Sequence, residues 1–166
     1  MHLPLFRPSP PPNALRHRGP GHVESWFLRA NHPTRPLALW QKATILAPLD
    51  GPPVAEAWFL WFDGERGRTW ARRETLPWPQ AHFDGAEQQP TIRLGDTRLA
   101  LGAPGTSQGR MDGPQGECRW DLAWDLDRGP VGQPLTIYPS RLMLEGPFPK
   151  SKVLTPFPAL RFSTSL

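Results

Sequence analysis

Apolar and polar side chains alternate along the segment Glu117 to Asp127, which reads ECRWDLAWDLD. A period of two is typical of a β-strand with one buried face, because successive side chains on a strand point to opposite sides. Cys118, Trp120 and Trp124 share one face with the leucines, whereas the charged residues share the other. A helix would distribute the tryptophans around its axis. The segment is therefore predicted to be an amphipathic strand with a tryptophan-rich face.

The same period recurs in other segments that lie between glycine, proline and aspartate residues. The segment 54–62 is apolar on both faces, which indicates a strand that is central to the fold. Asp63-Gly64 and Gly95-Asp96 are typical of tight hairpin turns, so the strands on either side of each should pair antiparallel. The predicted strands are 22–30, 37–47, 54–62, 65–76, 91–94, 97–101, 117–127, 135–138 and 141–145.

No segment is assigned to a helix, and the composition agrees with that assignment. The chain holds 23 prolines and 15 glycines, and an interior proline costs a helix about 3 kcal/mol. We predict an all-β fold, an antiparallel barrel or a strongly curved sheet with few or no helices. A single domain should span 22–162, after a disordered proline-rich arm at 1–21 and before a short tail at 163–166.

The charge pattern does not favour nucleic acid as a partner. The chain has a net charge of +4, but no basic run exceeds two residues. Arg66, Arg68, Arg72 and Arg73 alternate with other residue types, as on a solvated strand face. We therefore expect no nucleic-acid partner.

The lone cysteine and the scattered histidines predict neither a metal site nor a cofactor. Cys118 has no intrachain disulfide partner, and it is interpreted as a small buried hydrophobic residue or, alternatively, as a reactive thiol. The five histidines show no metal-ligand spacing, and no nucleotide-binding glycine motif is present. The sequence also lacks a long apolar run and a leader pattern, so we expect no transmembrane segment and a cytoplasmic location.

The residues 105–109, GTSQG, match the G-x-S-x-G pattern of a hydrolase nucleophile elbow. An elbow requires a helix directly after the serine, whereas Asp112, Gly113 and Pro114 follow here and cannot begin one. The match is interpreted as a coincidence, and residues 102–116 are predicted to form a loose connection.

Two ionisable residues share predicted strand faces with tryptophans. Glu24 lies beside Trp26, and Lys42 lies beside Trp40. Burying either charge without a partner would cost several kcal/mol. The two side chains should therefore pair with each other, reach water, or meet the polar end of a ligand.

A set of short motifs along the chain is similar to those of a known group of proteins: His22-Val-Glu-Ser-Trp-Phe-Leu-Arg-Ala-Asn-His-Pro33, Ala38-Leu-Trp40-Gln-Lys42, Trp61-Phe-Asp-Gly64, Cys118-Arg-Trp-Asp-Leu122, Tyr138-Pro139 and Pro149-Lys150-Ser-Lys152-Val-Leu-Thr-Pro156, followed by Pro158 and Phe162. Through these motifs the chain resembles the N-terminal half of the lipocalin-like proteins related to the hydroxyneurosporene synthase, or carotenoid hydratase, family. The resemblance covers roughly 22–162. It implies a lipocalin- or calycin-like fold that holds an apolar ligand, and a second β-domain that this sequence lacks.

From this resemblance and the tryptophan pattern we predict a module that binds a hydrophobic lipid, terpenoid or carotenoid-like molecule. Its ligand wall is predicted to consist of Trp26, Trp40, Trp58, Trp120 and Trp124. An uncovered apolar face should lead to a homodimer or to contact with a missing C-terminal β-domain. The alternative is a fragment of a hydratase or cyclase in which Glu24 or Lys42 transfers a proton to a polyene; a structural half-domain without a ligand is the third hypothesis.

Overall fold

The computed structural model of the chain describes residues 19–86, 89–126, 135–147, 152–156 and 160–165. Most of the predicted arm at 1–21 lies outside these residues, as does the final residue of the predicted tail. The strands are β1 His22–Asn31, β2 Leu37–Ala47, β3 Val54–Asp63, β4 Arg68–Pro77, β5 Ala81–Ala86, β6 Gln89–Leu94, β7 Thr97–Ala100, β8 Gly105–Gly113, β9 Gly116–Leu126, β10 Leu135–Thr136, β11 Leu154–Thr155 and β12 Leu160–Ser165. A 3-10 turn covers Trp78–Gln80, and the helix α1 covers Arg141–Glu145.

The strands form two main antiparallel sheets, which confirms the all-β prediction. One has four strands in the order β1-β2-β3-β4, and the other has six in the order β12-β9-β8-β7-β6-β5. A separate pair joins β10 to β11. Within the described ranges no strand ladder connects the two main sheets, so they are curved sheets rather than a closed barrel.

Both predicted hairpins form, but their glycines act differently. Gly95 adopts a positive φ of 57° between β6 and β7, as the sequence predicted. In the β3–β4 turn it is Gly67, with φ of 61°, that has the left-handed conformation, whereas the backbone N–H of Gly64 donates to the Pro36 carbonyl at 2.8 Å. A side chain at Gly64 would collide with Pro36.

The same turn holds a buried carboxylate. Asp63 accepts hydrogen bonds from the backbone N–H of Arg66 at 3.1 Å and from its guanidinium Nη1 at 3.0 Å. The side-chain bond from Arg66 is the main cause that holds the pKa of Asp63 below its ordinary value. Asp63 therefore favours the folded chain in its ionised form.

The core lies between the two sheets and is rich in aromatic rings. Phe59 on β3 stacks on Trp120 of β9 with ring centroids 4.2 Å apart, and Trp26 on β1 meets Phe83 of β5 at 5.6 Å. These contacts join residues of one sheet to residues of the other. The predicted tryptophan face of β9 is confirmed, since Trp120, Leu122 and Trp124 are buried.

The region expected to be a loose connection is in fact the strand β8, which pairs with both β7 and β9. Its inward positions include Gly105, Ser107 and Gly109, and a Cβ on either glycine would overlap an indole ring of β9. Small residues are thus needed here because the tryptophans of β9 lie over them. The G-x-S-x-G pattern belongs to this strand, and its serine is buried.

The prediction of a strand at 141–145 is wrong, because these residues form α1. The hydroxyl of Ser140 accepts a hydrogen bond from the backbone N–H of Met143 at 3.3 Å, which is an N-cap that favours a helical turn. The predicted strand at 135–138 is shorter and is limited to β10. The strands β5 and β12 were not predicted, and β12 continues to Ser165.

Candidate functional site

The four-stranded sheet has one face toward the core and one face away from it. On β1, Trp26 and Leu28 are each 7% exposed, whereas Phe27 between them is 61% exposed. We call the side of the sheet that bears Phe27 the outer sheet face. Its side chains include Val23, Ser25, Phe27, Arg29, Trp40, Lys42, Thr44, Leu46, Val54, Glu56, Trp58, Leu60, Phe62, Ala71, Arg73 and Thr75.

A row of aromatic and cationic side chains crosses the outer sheet face. The register aligns Phe27 with Lys42, Lys42 with Trp58, and Trp58 with Arg73. The Lys42 Nζ lies 5.4 Å from the Phe27 ring centroid and 5.6 Å from that of Trp58, and the Arg73 guanidinium carbon lies 5.2 Å from Trp58. Cations this close to aromatic rings gain about 0.5–1 kcal/mol each at exposed sites. The row is therefore an ordered ladder of rings and charges.

Apolar side chains extend this row on both sides. The Trp40 ring stacks on Phe27 with centroids 5.7 Å apart and planes 25° apart. Val23, Leu46 and Phe62 on the same face are exposed to solvent. Because several exposed apolar side chains share this one face, the outer sheet face is a candidate binding surface.

The corresponding face of the six-stranded sheet has a different character. Arg110 contacts Glu117 at 2.7 Å, and Arg93 lies 3.7 Å from Asp84. Arg119 also pairs with Glu117, and its hydrogen bond holds the pKa of that carboxyl below the ordinary value. That face is a solvated surface of paired charges, whereas the outer sheet face of the four-stranded sheet is aromatic.

One carboxylate lies within the outer sheet face. Glu56 accepts a hydrogen bond from the Trp58 Nε1–H at 3.0 Å and lies 3.5 Å from Arg73 Nη1. These contacts fix the orientation of the Trp58 indole. Over the described parts of the chain, neither Lys42 nor Arg29 has a carboxylate within ion-pair distance.

The five tryptophans of the predicted ligand wall do not lie together. Trp26, Trp120 and Trp124 point into the core, whereas Trp40 and Trp58 lie on the outer sheet face. The expectation that one interior wall holds all five rings is therefore wrong for Trp40 and Trp58. Whether any of the five binds a ligand stays a prediction.

The two indoles of β9 are bound to the chain's own acceptors. The Nε1–H of Trp120 donates to the Ser107 hydroxyl at 3.0 Å, and that of Trp124 donates to the Gly102 carbonyl at 2.8 Å. Phe59 covers the face of Trp120, and Phe162 of β12 lies 5.9 Å from Trp124. These contacts give both rings a role in packing the core.

The two weak catalytic candidates lie on opposite faces of the same sheet. Glu24 aligns with the buried Ile45, and its side chain is 14% exposed, with its carboxylate 3.2 Å from His22 Nε2. Lys42 aligns with the exposed Phe27 instead. Of the three arrangements expected from the sequence, mutual pairing of Glu24 and Lys42 is therefore excluded.

Sequence reasoning missed three contributors to the outer sheet face, namely Phe27, Glu56 and Arg73. The observed turn pairs Asp63 with Arg68 and so places Arg73 beside Trp58, whereas a tight turn at Asp63-Gly64 would have paired Trp58 with Thr69. The alternation of β1 places Phe27 on the face opposite Trp26, but alternation alone does not show that this face is the exposed one.

Cys118 is half-buried on the inner side of β9, and this burial raises the pKa of its thiol. The position supports the interpretation as a small hydrophobic residue. Among the described residues no group of three or more histidine, cysteine or carboxylate side chains could hold a metal ion. The described helical segments include none with the length and apolar character needed to cross a membrane.

Comparison with known proteins gives no further assignment. The chain matches no family model, no curated protein and no solved structure.

Proposed function

We propose that this protein is a binding module for an apolar small molecule and that the outer sheet face holds that molecule. The observation that carries the proposal is the stacked pair of rings formed by the exposed Phe27 and the half-buried Trp40. Stacked rings on a pleated sheet form a rigid surface, so little side-chain entropy is lost when a flat or elongated ligand covers them. A lipid, terpenoid or carotenoid-like molecule has this shape.

The interior is a weaker candidate for the same role. Its rings contact one another closely, as Phe59 and Trp120 do, and its indole N–H groups are bonded within the chain. A ligand there would have to displace core contacts, each worth part of the stability of the fold. The outer sheet face requires no such displacement.

The hydratase or cyclase alternative depends on a proton donor next to the ligand. Glu24 lies on the inner side of β1, so it cannot serve a polyene bound on the outer sheet face. Lys42 is on that face, but its Nζ lies against the Phe27 and Trp58 rings, and the one carboxylate of the face, Glu56, contacts Arg73 and the Trp58 N–H. A binding role without catalysis is therefore the better match to the geometry.

Titration with phenylnaphthylamine, an uncharged fluorescent apolar probe, tests the proposal. Phe27→Ser should weaken binding about tenfold, because it removes the exposed ring against which Trp40 stacks. Leu49→Ser is the matched control, since Leu49 is an exposed apolar residue in the loop after β2 and should leave the affinity unchanged.

Two results would overturn the proposal. One is an absence of probe binding by the folded wild-type chain, and the other is an equal loss in the two variants. Sedimentation velocity should accompany the titration. A wild-type dimer that Phe27→Ser converts to a monomer would assign the outer sheet face to self-association instead.

A further inference from the structure

We infer that the small molecule held on the outer sheet face carries an anionic group, such as a carboxylate, which lies against Lys42. The inference rests on the proposed function and names the class of ligand. It is argued from the environment of Lys42, from the charges on the outer sheet face and from the arrangement of its apolar area.

Lys42 is a cation in an unusual environment. Its Nζ lies between the rings of Phe27 and Trp58, at 5.4 Å and 5.6 Å from their centroids, and its side chain is only partly exposed. In the part of the chain that the structure describes, it has no carboxylate partner. A partly desolvated charge gains most from a counter-ion, because the water it has lost is not fully replaced by ring contacts.

The charges on the outer sheet face are unequal. The described cations are Arg29, Lys42 and Arg73, whereas Glu56 is the one carboxylate. Glu56 already contacts Arg73 and the Trp58 N–H, so it does not neutralise Lys42 or Arg29. A bound anion would reduce this excess of positive charge, and a bound cation would increase it.

The apolar side chains of the outer sheet face indicate the chemical character of the rest of the ligand. Phe27 and Trp40 stack beside Lys42, and Leu46 and Phe62 are further exposed apolar side chains of the same face. An acid with a flat or elongated hydrocarbon body, such as a fatty or terpenoid acid, presents one charge to Lys42 and its apolar body to the rings. The corresponding alcohol or hydrocarbon would leave Lys42 without a counter-ion.

Two probes that share a ring skeleton separate the charge from the apolar contact. Anilinonaphthalene sulfonate is anionic, and phenylnaphthylamine is its uncharged counterpart. The wild-type protein should bind the sulfonate more tightly, and this advantage should shrink as salt is raised. Lys42→Met keeps the apolar stem and removes the charge. It should weaken sulfonate binding about tenfold while changing phenylnaphthylamine binding less than about twofold.

Lys152→Met is the matched control, because Lys152 also places its Nζ over an aromatic ring, 5.4 Å from the centroid of Tyr138, but lies outside the four-stranded sheet. It should leave both affinities unchanged. A fatty acid should displace the sulfonate from the wild-type protein, and its methyl ester should do so less well.

The outcomes distinguish this inference from the proposed function. Equal affinity for the two probes, or an equal loss of both in Lys42→Met, overturns the inference and leaves the proposed function standing. Binding of neither probe overturns both. Displacement of the sulfonate by a single-stranded oligonucleotide at lower concentration than by the fatty acid assigns the outer sheet face to nucleic acid and overturns the inference.

Discussion

The hydrogen-bond network of Ser107, Gln41 and Trp120 gives the sharpest stability prediction. The Ser107 hydroxyl donates to Gln41 Oε1 at 2.7 Å and accepts from Trp120 Nε1–H at 3.0 Å, which joins β8 to β9 and to the other sheet. All three side chains are buried. Ser107→Ala therefore leaves one acceptor and one donor in the core without a partner.

An unsatisfied buried polar group costs about 1–3 kcal/mol, so the two groups together predict a loss of about 2–6 kcal/mol. That loss is a large part of the 5–15 kcal/mol by which domains are commonly stable. Urea unfolding followed by far-ultraviolet circular dichroism measures it as a lower midpoint with an unchanged slope. Thr106→Val, which removes an exposed hydroxyl from the same strand, should change the stability by less than about 0.5 kcal/mol.

Gln41 provides the counter-test, because its Nε2 is buried without a hydrogen-bond partner in the described chain. Gln41→Leu removes this orphan donor as well as the bond to Ser107, so the two effects oppose each other and the net change should stay within about 1 kcal/mol. In the Gln41→Leu background, Ser107→Ala should cost less than it does in the wild type. Equal costs in the two backgrounds would refute the proposed coupling.

The remaining predictions concern the glycines of β8 and two carboxyl groups. Gly109→Ala should destabilise the fold by about 1–3 kcal/mol in the same urea assay, because its Cβ would overlap the Trp120 ring. Gly113→Ala should be tolerated, since its Cβ would lie 3.5 Å from the nearest ring atom. Equal effects of the two variants would contradict this reasoning. Asp63, whose pKa is lowered, contributes stability above its unfolded pKa of about 3.9 that is lost as the pH falls through the folded value, so Asp63→Asn should flatten the acid limb of stability measured against pH. For Glu74 the pH dependence is reversed, because burial raises the pKa of its carboxyl. This group stabilises the fold below its unfolded pKa, and that stabilisation is lost as the pH rises through the folded value. Glu74→Gln should therefore be more stable than wild type at pH 7, and a less stable variant would contradict the assignment.

Most strands could be predicted because their alternation is visible within each segment. The bounds of β2 agree with the prediction, and the hairpin at Gly95-Asp96 forms as expected. The strand β8 could not be found in this way, since glycine and serine occupy inward positions to make room for Trp120 and Trp124. The small residues of β8 are explained only by the tryptophans of β9 that pack over them. The sequence of β8 alone does not show that β9 is the strand with which it pairs.

The candidate site was harder to predict, because β2 has apolar residues on both faces. Leu39 and Ile45 share one face, whereas Trp40 and Leu46 share the other, and period alone does not say which face is buried. The structure buries the face with Leu39 and Ile45 and leaves Trp40 on the outside. That choice depends on the opposing sheet, which packs Trp120 and Trp124 against this face.

The pairing of β12 with β9 differs from the other ladders of the described chain, because it joins strands that are not consecutive. Closing the intervening segment carries a larger loss of chain entropy than the short hairpin turns do. Detachment of β12 would uncover the hydrogen-bonding edge of β9 together with the side of Trp124 that Phe162 contacts. An edge uncovered in this way can recruit a strand from a neighbouring molecule, so the six residues of β12 protect the tryptophan strand from aggregation.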